Sequence, residues 1–326
     1  MRAIIPVAGM GTRLRPHTHT QPKALMHVAG KPILAHIIDE LVTVGIDEVV
    51  LVVGYLGEKI EGYVRERYGT LRTHFIPQGE PLGNGHAVYV AREFLDDSPI
   101  LIIFGDTIVR GDLAGFLHGR ESLVGVKEVT DPRRLGVVEL DGDGYVRRLV
   151  EKPADPPSNL AVIGAYFIKE GRSLRAALER LVEEGRQARG EFWLADGLQV
   201  MIDAGERMAV FPIEHWYDCG TAESLLEANR DLLEASTPPA WTDGSIVLPP
   251  SYVSPSAILQ GSVIGPHVSI AEGARVSNSV IRDSIINANA LVDGALLEHS
   301  LVGEHAVVKG RPGRINVGDS SELELR

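Results

Sequence analysis

Glycines and cations near the start of the chain are spaced in a way that suits phosphate. The run Ala3, Ile4, Ile5 and Val7 reads as a buried strand, which stops at Ala8 and gives way to the loop Gly9-Met10-Gly11-Thr12-Arg13. Glycines directly after a strand let the backbone approach a ligand closely and turn several N–H groups into one concavity. Arg13 adds a bidentate phosphate donor, and Lys23, ten residues on, a compact cation. The stretch from Ala8 is therefore suited to holding a polyphosphate. It matches neither common phosphate motif: the third glycine of a dinucleotide fingerprint is replaced by Leu14, and no Gly-Lys-Ser/Thr ending follows.

Two carboxylates could serve the same ligand. Asp106 closes the apolar strand Pro99–Phe104, and Asp218 stands in Trp216-Tyr217-Asp218-Cys219-Gly220-Thr221, over a hundred residues later. Brought together at a polyphosphate they would seat Mg²⁺, which takes few protein oxygens plus substrate oxygens. Taken singly, each reads equally well as a turn residue or a helix cap. Gln78 and the loop Leu82-Gly83-Asn84 are candidates for reading a base, since a glutamine amide can pair with N3–H and a carbonyl of a pyrimidine. A glycine-rich lead into a helix is the competing interpretation. Glu151-Lys152-Pro153, by residue type alone, is a solvated turn.

The elements needed to position these residues follow from periodicity. Ile33, Leu34, Ile37, Ile38, Leu41 and Val42 recur at helical spacing after Pro32 and before Gly45. Strands are expected at Glu48–Val53, Thr73–Ile76 and Pro99–Phe104, with helices from Leu56 to Tyr68 and His86 to Leu95 between them. This alternation implies a Rossmann-like, mainly parallel sheet covered on both faces, with ligands at the carboxyl ends of the strands. Short strands follow at Leu123–Val129, Gly136–Leu140, Tyr145–Val150 and Ala161–Ile168, with Asp141-Gly142-Asp143-Gly144 as a hairpin turn. Helices near Ser173–Glu184 and Phe192–Ala204, a strand at Arg207–Pro212 and a helix from Thr221 to about Glu234 complete the first 235 residues.

Ser236-Thr237-Pro238-Pro239 to Ser245 has the composition of a linker. Beyond it, Ile258, Ile264, Ile270 and Val276 recur every six residues, as do Val280, Ile286 and Val292, then Leu296, Val302 and Val308. That period fits a parallel β-helix of about three or four coils. The expected organisation is a catalytic domain over 1–235, a linker over 236–245 and a β-helix over 246–326. The open coil ends should favour a homo-oligomer, with the tail assembling the protein and doing no chemistry.

Composition bounds the rest. The 326 residues are 44% hydrophobic and 23% charged, with a formal net charge of −12, which argues against a general nucleic-acid surface. The first residues enter a strand without a leader-like apolar stretch, no run is long enough to cross a membrane, and Cys219 is the single cysteine. A cytoplasmic location is expected.

Gly9-Met10-Gly11-Thr12-Arg13-Leu14-Arg15-Pro16 with Pro22-Lys23, then Phe75-Ile76-Pro77-Gln78, Pro81-Leu82-Gly83 and His86-Ala87-Val88, resemble the sugar-1-phosphate nucleotidyltransferases, in particular long-form glucose-1-phosphate thymidylyltransferases. The hexad tail resembles the left-handed β-helix of hexapeptide-repeat proteins. The resemblance implies transfer of a nucleotidyl group, from dTTP, to glucose-1-phosphate. Arg13 and Lys23 would contact phosphates, Asp106 and Asp218 would hold Mg²⁺, and Lys152 in Glu151-Lys152-Pro153 would hold the sugar phosphate. Gly136, Glu151, Tyr166 and Glu191 correspond to sugar-contacting positions. One departure is Asn84-Gly85, where the family carries Thr-Ala or Leu-Ala. UTP or GTP as donor, an acetyltransferase tail using a histidine such as His267, His299 or His305, and a non-catalytic regulator remain alternatives.

Overall fold

The structure, a computed structural model, describes residues 1–234, 244–310 and 315–325. The expected linker over 236–245 lies outside the described residues except for Gly244 and Ser245. The chain forms two compact units, one of Met1–Met10 with Ile37–Trp216, the other of Gly11–His36 with Tyr217–Arg326.

The first unit is built on a nine-stranded sheet: β1 (Arg2–Pro6), β2 (Glu48–Val53), β3 (Arg72–Pro77), β4 (Ile100–Ile103), β5 (Ser122–Glu128), β6 (Gly136–Leu140), β7 (Val146–Glu151), β8 (Leu160–Ile168) and β9 (Met208–Pro212). The order β7-β6-β8-β4-β1-β2-β3 runs across it, with β5 and then β9 branching from β8. Only part of the sheet is parallel. Strands β4, β1, β2 and β3 form a parallel block, and β8 runs antiparallel to β4, β5 and β6. One antiparallel pair, β6 with β7, is set locally. The turn after Leu140, where Asp141 Oδ1 accepts from the Asp143 and Tyr145 amides at 2.9 Å and Gly144 takes φ +85, joins β6 to β7 as a hairpin that needs no crossover helix.

The helices are α1 (Ile33–Thr43), α2 (Gly57–Arg67), α3 (Asn84–Val90), α4 (Leu113–Leu117), α5 (Gly171–Glu183), α6 (Leu194–Asp203) and α7 (Ala222–Glu234). Val88, Leu174, Leu178, Leu194 and Leu198 from α3, α5 and α6 share one core with Ile4, Val50 and Ile102 of the sheet. The alternate residues Ala3, Ile5, Val49, Leu51 and Leu101 are equally buried, so the parallel strands are covered on both faces and read as unbroken apolar runs.

In the second unit the tail is a parallel β-helix with three faces, consistent with the left-handed coil of hexapeptide repeats. One face stacks Ile246–Val247, Val263–Ile264, Val280–Arg282 and Leu296–Glu298, and the other two carry five strands each. Among the described residues, four full coils are followed by two sides of a fifth, Asn316–Val317 and Glu322–Leu325.

The inward row differs from the strict hexad. Leu259, Ile264, Ile270, Val276, Ile281, Ile286, Val292, Leu297, Val302 and Val308 point inward, whereas Ile258, Val280 and Leu296 are exposed. A strand alternates its side chains, so of two adjacent aliphatics only one can face the core. Some corners also use five residues, and the step from Val276 is to Ile281, not Val280. Corner residues take left-handed backbone, as at His267, Asn278, Asp283, Asn289, His299 and His305, with φ between +45 and +58. Polar side chains tolerate that region best, which accounts for the tail histidines as corner residues.

Candidate functional site

In the first unit the glycine loop begins where β1 ends. Gly54, after β2, lies so close that an added Cβ would sit 2.8 Å from the Ala8 carbonyl oxygen, and Gly105 is packed just as tightly on Pro6 and Val7. The Gly105-Asp106 turn at the carboxyl end of β4 therefore adjoins the end of β1, with Asp106 half-buried. A cavity of about 460 Å³ opens beside the loop, lined by Ala8, Met10, Gly54, Tyr55, Gln78 and Pro81 among others. A Cβ at Gly9 would meet open space, so that glycine leaves room rather than relieving a clash.

Gln78 stands after β3. Its amide nitrogen donates to the Gly83 carbonyl and to His86 Nδ1, each at 3.1 Å. Both N–H groups are thus engaged, and the amide oxygen is the atom that remains suited to a base N3–H. The bidentate pairing expected from the sequence would require one of these two bonds to be given up. Accepting at Nδ1 makes His86 the neutral Nε2–H tautomer, in keeping with the lowering of its pKa by burial.

Leu82, Gly83 and Asn84 lie along a seam with the segment before α6. The Phe192 amide donates to the Leu82 carbonyl at 2.8 Å, and the Gly85 amide to the Phe192 carbonyl at 2.9 Å. Asn84 Oδ1 accepts from the Leu194 amide at 2.8 Å at the start of α6. A Cβ at Gly83 would fall 2.5 Å from the Phe192 carbonyl, and one at Gly85 2.7 Å from the Trp193 carbonyl carbon. The Asn84-Gly85 departure is explained by this seam: one side chain caps a helix start, and the next position has no room for one.

The seam leads to the second group of expected residues. Lys152 Nζ lies 3.5 Å from Glu151 Oε1 and 4.1 Å from the centroid of the Trp193 ring. Glu151 also borders Gly136, where an added Cβ would be 2.9 Å from its Oε2. Burial raises the pKa of Glu151; Lys152 opposes this, while Asp196 and Glu191 add to it. The buried Tyr166 is raised by burial and by Glu151. Gly136, Glu151, Lys152, Tyr166 and Glu191 thus form one polar cluster. Trp193 and Asp196 were missed by sequence reasoning, and their signal was only adjacency to Glu191; His86 belongs to the stretch that the sequence already offered beside Gln78.

In the second unit Gly11 adopts φ +60 and is crowded, with an added Cβ 3.0 Å from Thr18 Cγ2 and 3.1 Å from Lys23 Cβ. Thr12–Leu14 and Lys23–Leu25 are 3₁₀ turns, with Thr12 and Arg13 exposed. Arg13 and Asp218 meet at Gly220, where a Cβ would lie 3.1 Å from Arg13 Nη2 and 2.8 Å from Asp218 Oδ1. Gly11, Arg13, Lys23 and Asp218 are therefore held in one unit, and Asp106 in the other. Cys219 is buried. Among the described residues, the group Asp283, Glu298 and His299 has ligand atoms close enough to share a cation. Arg230 and His267 already engage Asp283, and Arg282 lies 3.2 Å from Glu298. Among the described residues no helix is long and apolar enough to cross a membrane.

Comparison with known proteins shows the family and the fold. The nucleotidyl transferase family profile matches residues 2–235. A glucose-1-phosphate thymidylyltransferase of Streptomyces griseus is 32% identical over all of this chain and 99% of its own length. The low-salt glycan biosynthesis nucleotidyltransferase Agl11 of Haloferax volcanii is 30% identical over the whole of both chains. The bifunctional protein GlmU of Methanocaldococcus jannaschii is 39% identical over 72% of this chain and 55% of its own. A solved UDP-glucose pyrophosphorylase, complexed with UDP-glucose, shares the fold with a TM-score of 0.62 at 24% identity, over 71% of this chain and 97% of its own.

Proposed function

The chain belongs to the nucleotidyl transferase family and is a sugar-1-phosphate nucleotidyltransferase; from that premise we propose that it joins dTTP to glucose-1-phosphate, giving dTDP-glucose and pyrophosphate. The observation that carries the reading is the seam between Leu82–Gly85 and Phe192–Leu194, which ties the Gln78 base loop to the Lys152 cluster. A nucleotide-sugar presents a base and a hexose phosphate to two such sites at once.

In this reading the sugar phosphate oxygen attacks the α-phosphorus in line, and pyrophosphate leaves. The nucleophile is already an anion, so no general base is needed, and catalysis reduces to positioning and charge stabilisation. Arg13 and Lys23 neutralise the triphosphate, with the Ala8–Thr12 backbone around it. Lys152, seated on Trp193, fixes the sugar phosphate. Gln78 accepts the N3–H of thymine. The carboxylate oxygens of Asp106 and Asp218 suit a hard cation, and Mg²⁺ held by them would neutralise charge on the leaving pyrophosphate.

A homo-oligomer in a cytoplasmic setting completes the reading. The row Ile246, Val263, Val280 and Leu296, in register on one β-helix face, supports self-association. Product analysis with dTTP, UTP, GTP and glucose-1-phosphate tests the base assignment. The expected main product is dTDP-glucose, and faster use of GTP than of both pyrimidine nucleotides would overturn it.

A further inference from the structure

We propose that the last coil of the β-helix is a positioning element for the glycine loop, acting through Asn316 and Asp319. The proposal rests on the loop's role in holding the triphosphate. Within the second unit, segment 16–20 lies against the fifth coil. His17 is wholly buried, and its Nε2 is hydrogen-bonded to the amide oxygen of Asn316. The Thr20 hydroxyl donates to the Asp319 carboxylate, whose other oxygen accepts from the Glu304 amide at 2.7 Å. Pro16 is seated on Gly318, where an added Cβ would lie 2.9 Å from its ring.

The same segment holds the loop from its other side. Thr18 donates to the Gly11 carbonyl at 2.8 Å, and its methyl group closes on Gly11 beside Lys23. The path from Asn316 and Asp319 to the left-handed Gly11 is therefore two contacts long. It is also poorly buffered. His17 Nδ1 is buried with no hydrogen-bond partner among the described residues, so the bond to Asn316 is the ring's single polar anchor. Removing Asn316 would leave both ring nitrogens buried and unsatisfied, and the segment would have to move. A second tie, in which Asn229 Oδ1 accepts from the Ala29 amide at 2.9 Å and from the Ser269 hydroxyl while its amide donates to the His267 carbonyl, holds Ala29 to the second coil but does not reach Gly11. Asn316 and Asp319 are positioning residues, and neither need touch substrate.

The test compares Asn316→Ala and Asp319→Ala with Asn316→Asp and Asp319→Asn, which keep an acceptor oxygen. Asp293→Ala is the control, since Asp293 binds Ser277 and Asn278 in the same β-helix. The alanine variants should raise the nucleotide KM by roughly fivefold or more and leave the sugar-1-phosphate KM within about twofold. The acceptor-keeping variants should recover most of the loss, and Asp293→Ala should change neither KM. Amide hydrogen exchange without substrate should quicken over residues 11–25 in the alanine variants alone. Unchanged exchange there, an equal rise in both KM values, or the same loss in Asp293→Ala would overturn the proposal. If the unmodified enzyme turned over no nucleotide, the proposed function would fail, and the exchange data would still decide this point.

Discussion

Lys152 sits in left-handed backbone at φ +46, with its ammonium between the Glu151 carboxylate and the Trp193 ring. Arg13, the other cation proposed to hold phosphate, is exposed beside Asp218 at Gly220. The two cations should fail differently. Arg13→Ala should lower kcat by roughly 10²-fold or more, as loss of a single electrostatic donor typically does. Lys152→Ala should chiefly raise the sugar-1-phosphate KM. Steady-state kinetics separate the two, and identical defects would refute the division of roles. Glu151 gives a pH test. Its folded pKa is raised by burial above the unfolded value, so the stability linked to its protonated form is present below the unfolded pKa and lost as pH rises through the folded one. Glu151→Gln should therefore raise Tm more at pH 7 than at pH 4, while weakening sugar binding. At this scale the sequence singled out Arg13 by its place after a strand-and-glycine loop and Lys152 only through the resemblance, and the structure puts Arg13 beside Asp218 and Lys152 beside Glu151. The Trp193 platform and the Gln78–His86 bond were not legible, because an apolar ring or a histidine at a helix start has many ordinary uses.

The strands and helices were largely legible as elements, and their pairing was not. Apolar runs such as Glu48–Val53 and Gly136–Leu140 have the expected bounds because burial on both faces and a turn signal mark their ends. The β6–β7 hairpin was readable from its turn, but the antiparallel setting of β8 was hidden, since its direction depends on partners far along the chain. In the tail the six-residue period identified the β-helix, but the choice between two adjacent aliphatics lay in corner geometry. Leu297 is fully buried and Leu296 is 41% exposed. Leu297→Ala should cost about 2–5 kcal/mol of stability, the range for a buried leucine. Leu296→Ala should stay within about 0.5 kcal/mol in the isolated chain. Denaturant titration of both variants checks the inward row, and equal losses would contradict it.

For the molecule as a whole, sequence composition marks a break near residue 235, whereas Gly11–His36 shares a compact unit with the tail. That association joins residues hundreds of positions apart, as in His17 with Asn316, and no local pattern announces it. A chain ending at Ala235 would lose Asn316, Asp319 and the β-helix partners of Asn229, which are His267 and Ser269. It should assemble less by light scattering and release pyrophosphate roughly tenfold or more slowly, since displacing a positioning element by an ångström can cost up to about 10²-fold. Undiminished turnover would leave the tail only its assembly role. The central claim is nucleotidyl transfer from dTTP to a sugar phosphate, and labelling tests it most directly. With dTTP labelled at the α-phosphorus, glucose-1-phosphate and Mg²⁺, the label should appear in dTDP-glucose in step with unlabelled pyrophosphate, and EDTA should stop both. Label released as dTMP or dTDP with no nucleotide-sugar formed, or transfer that persists in EDTA, would contradict it.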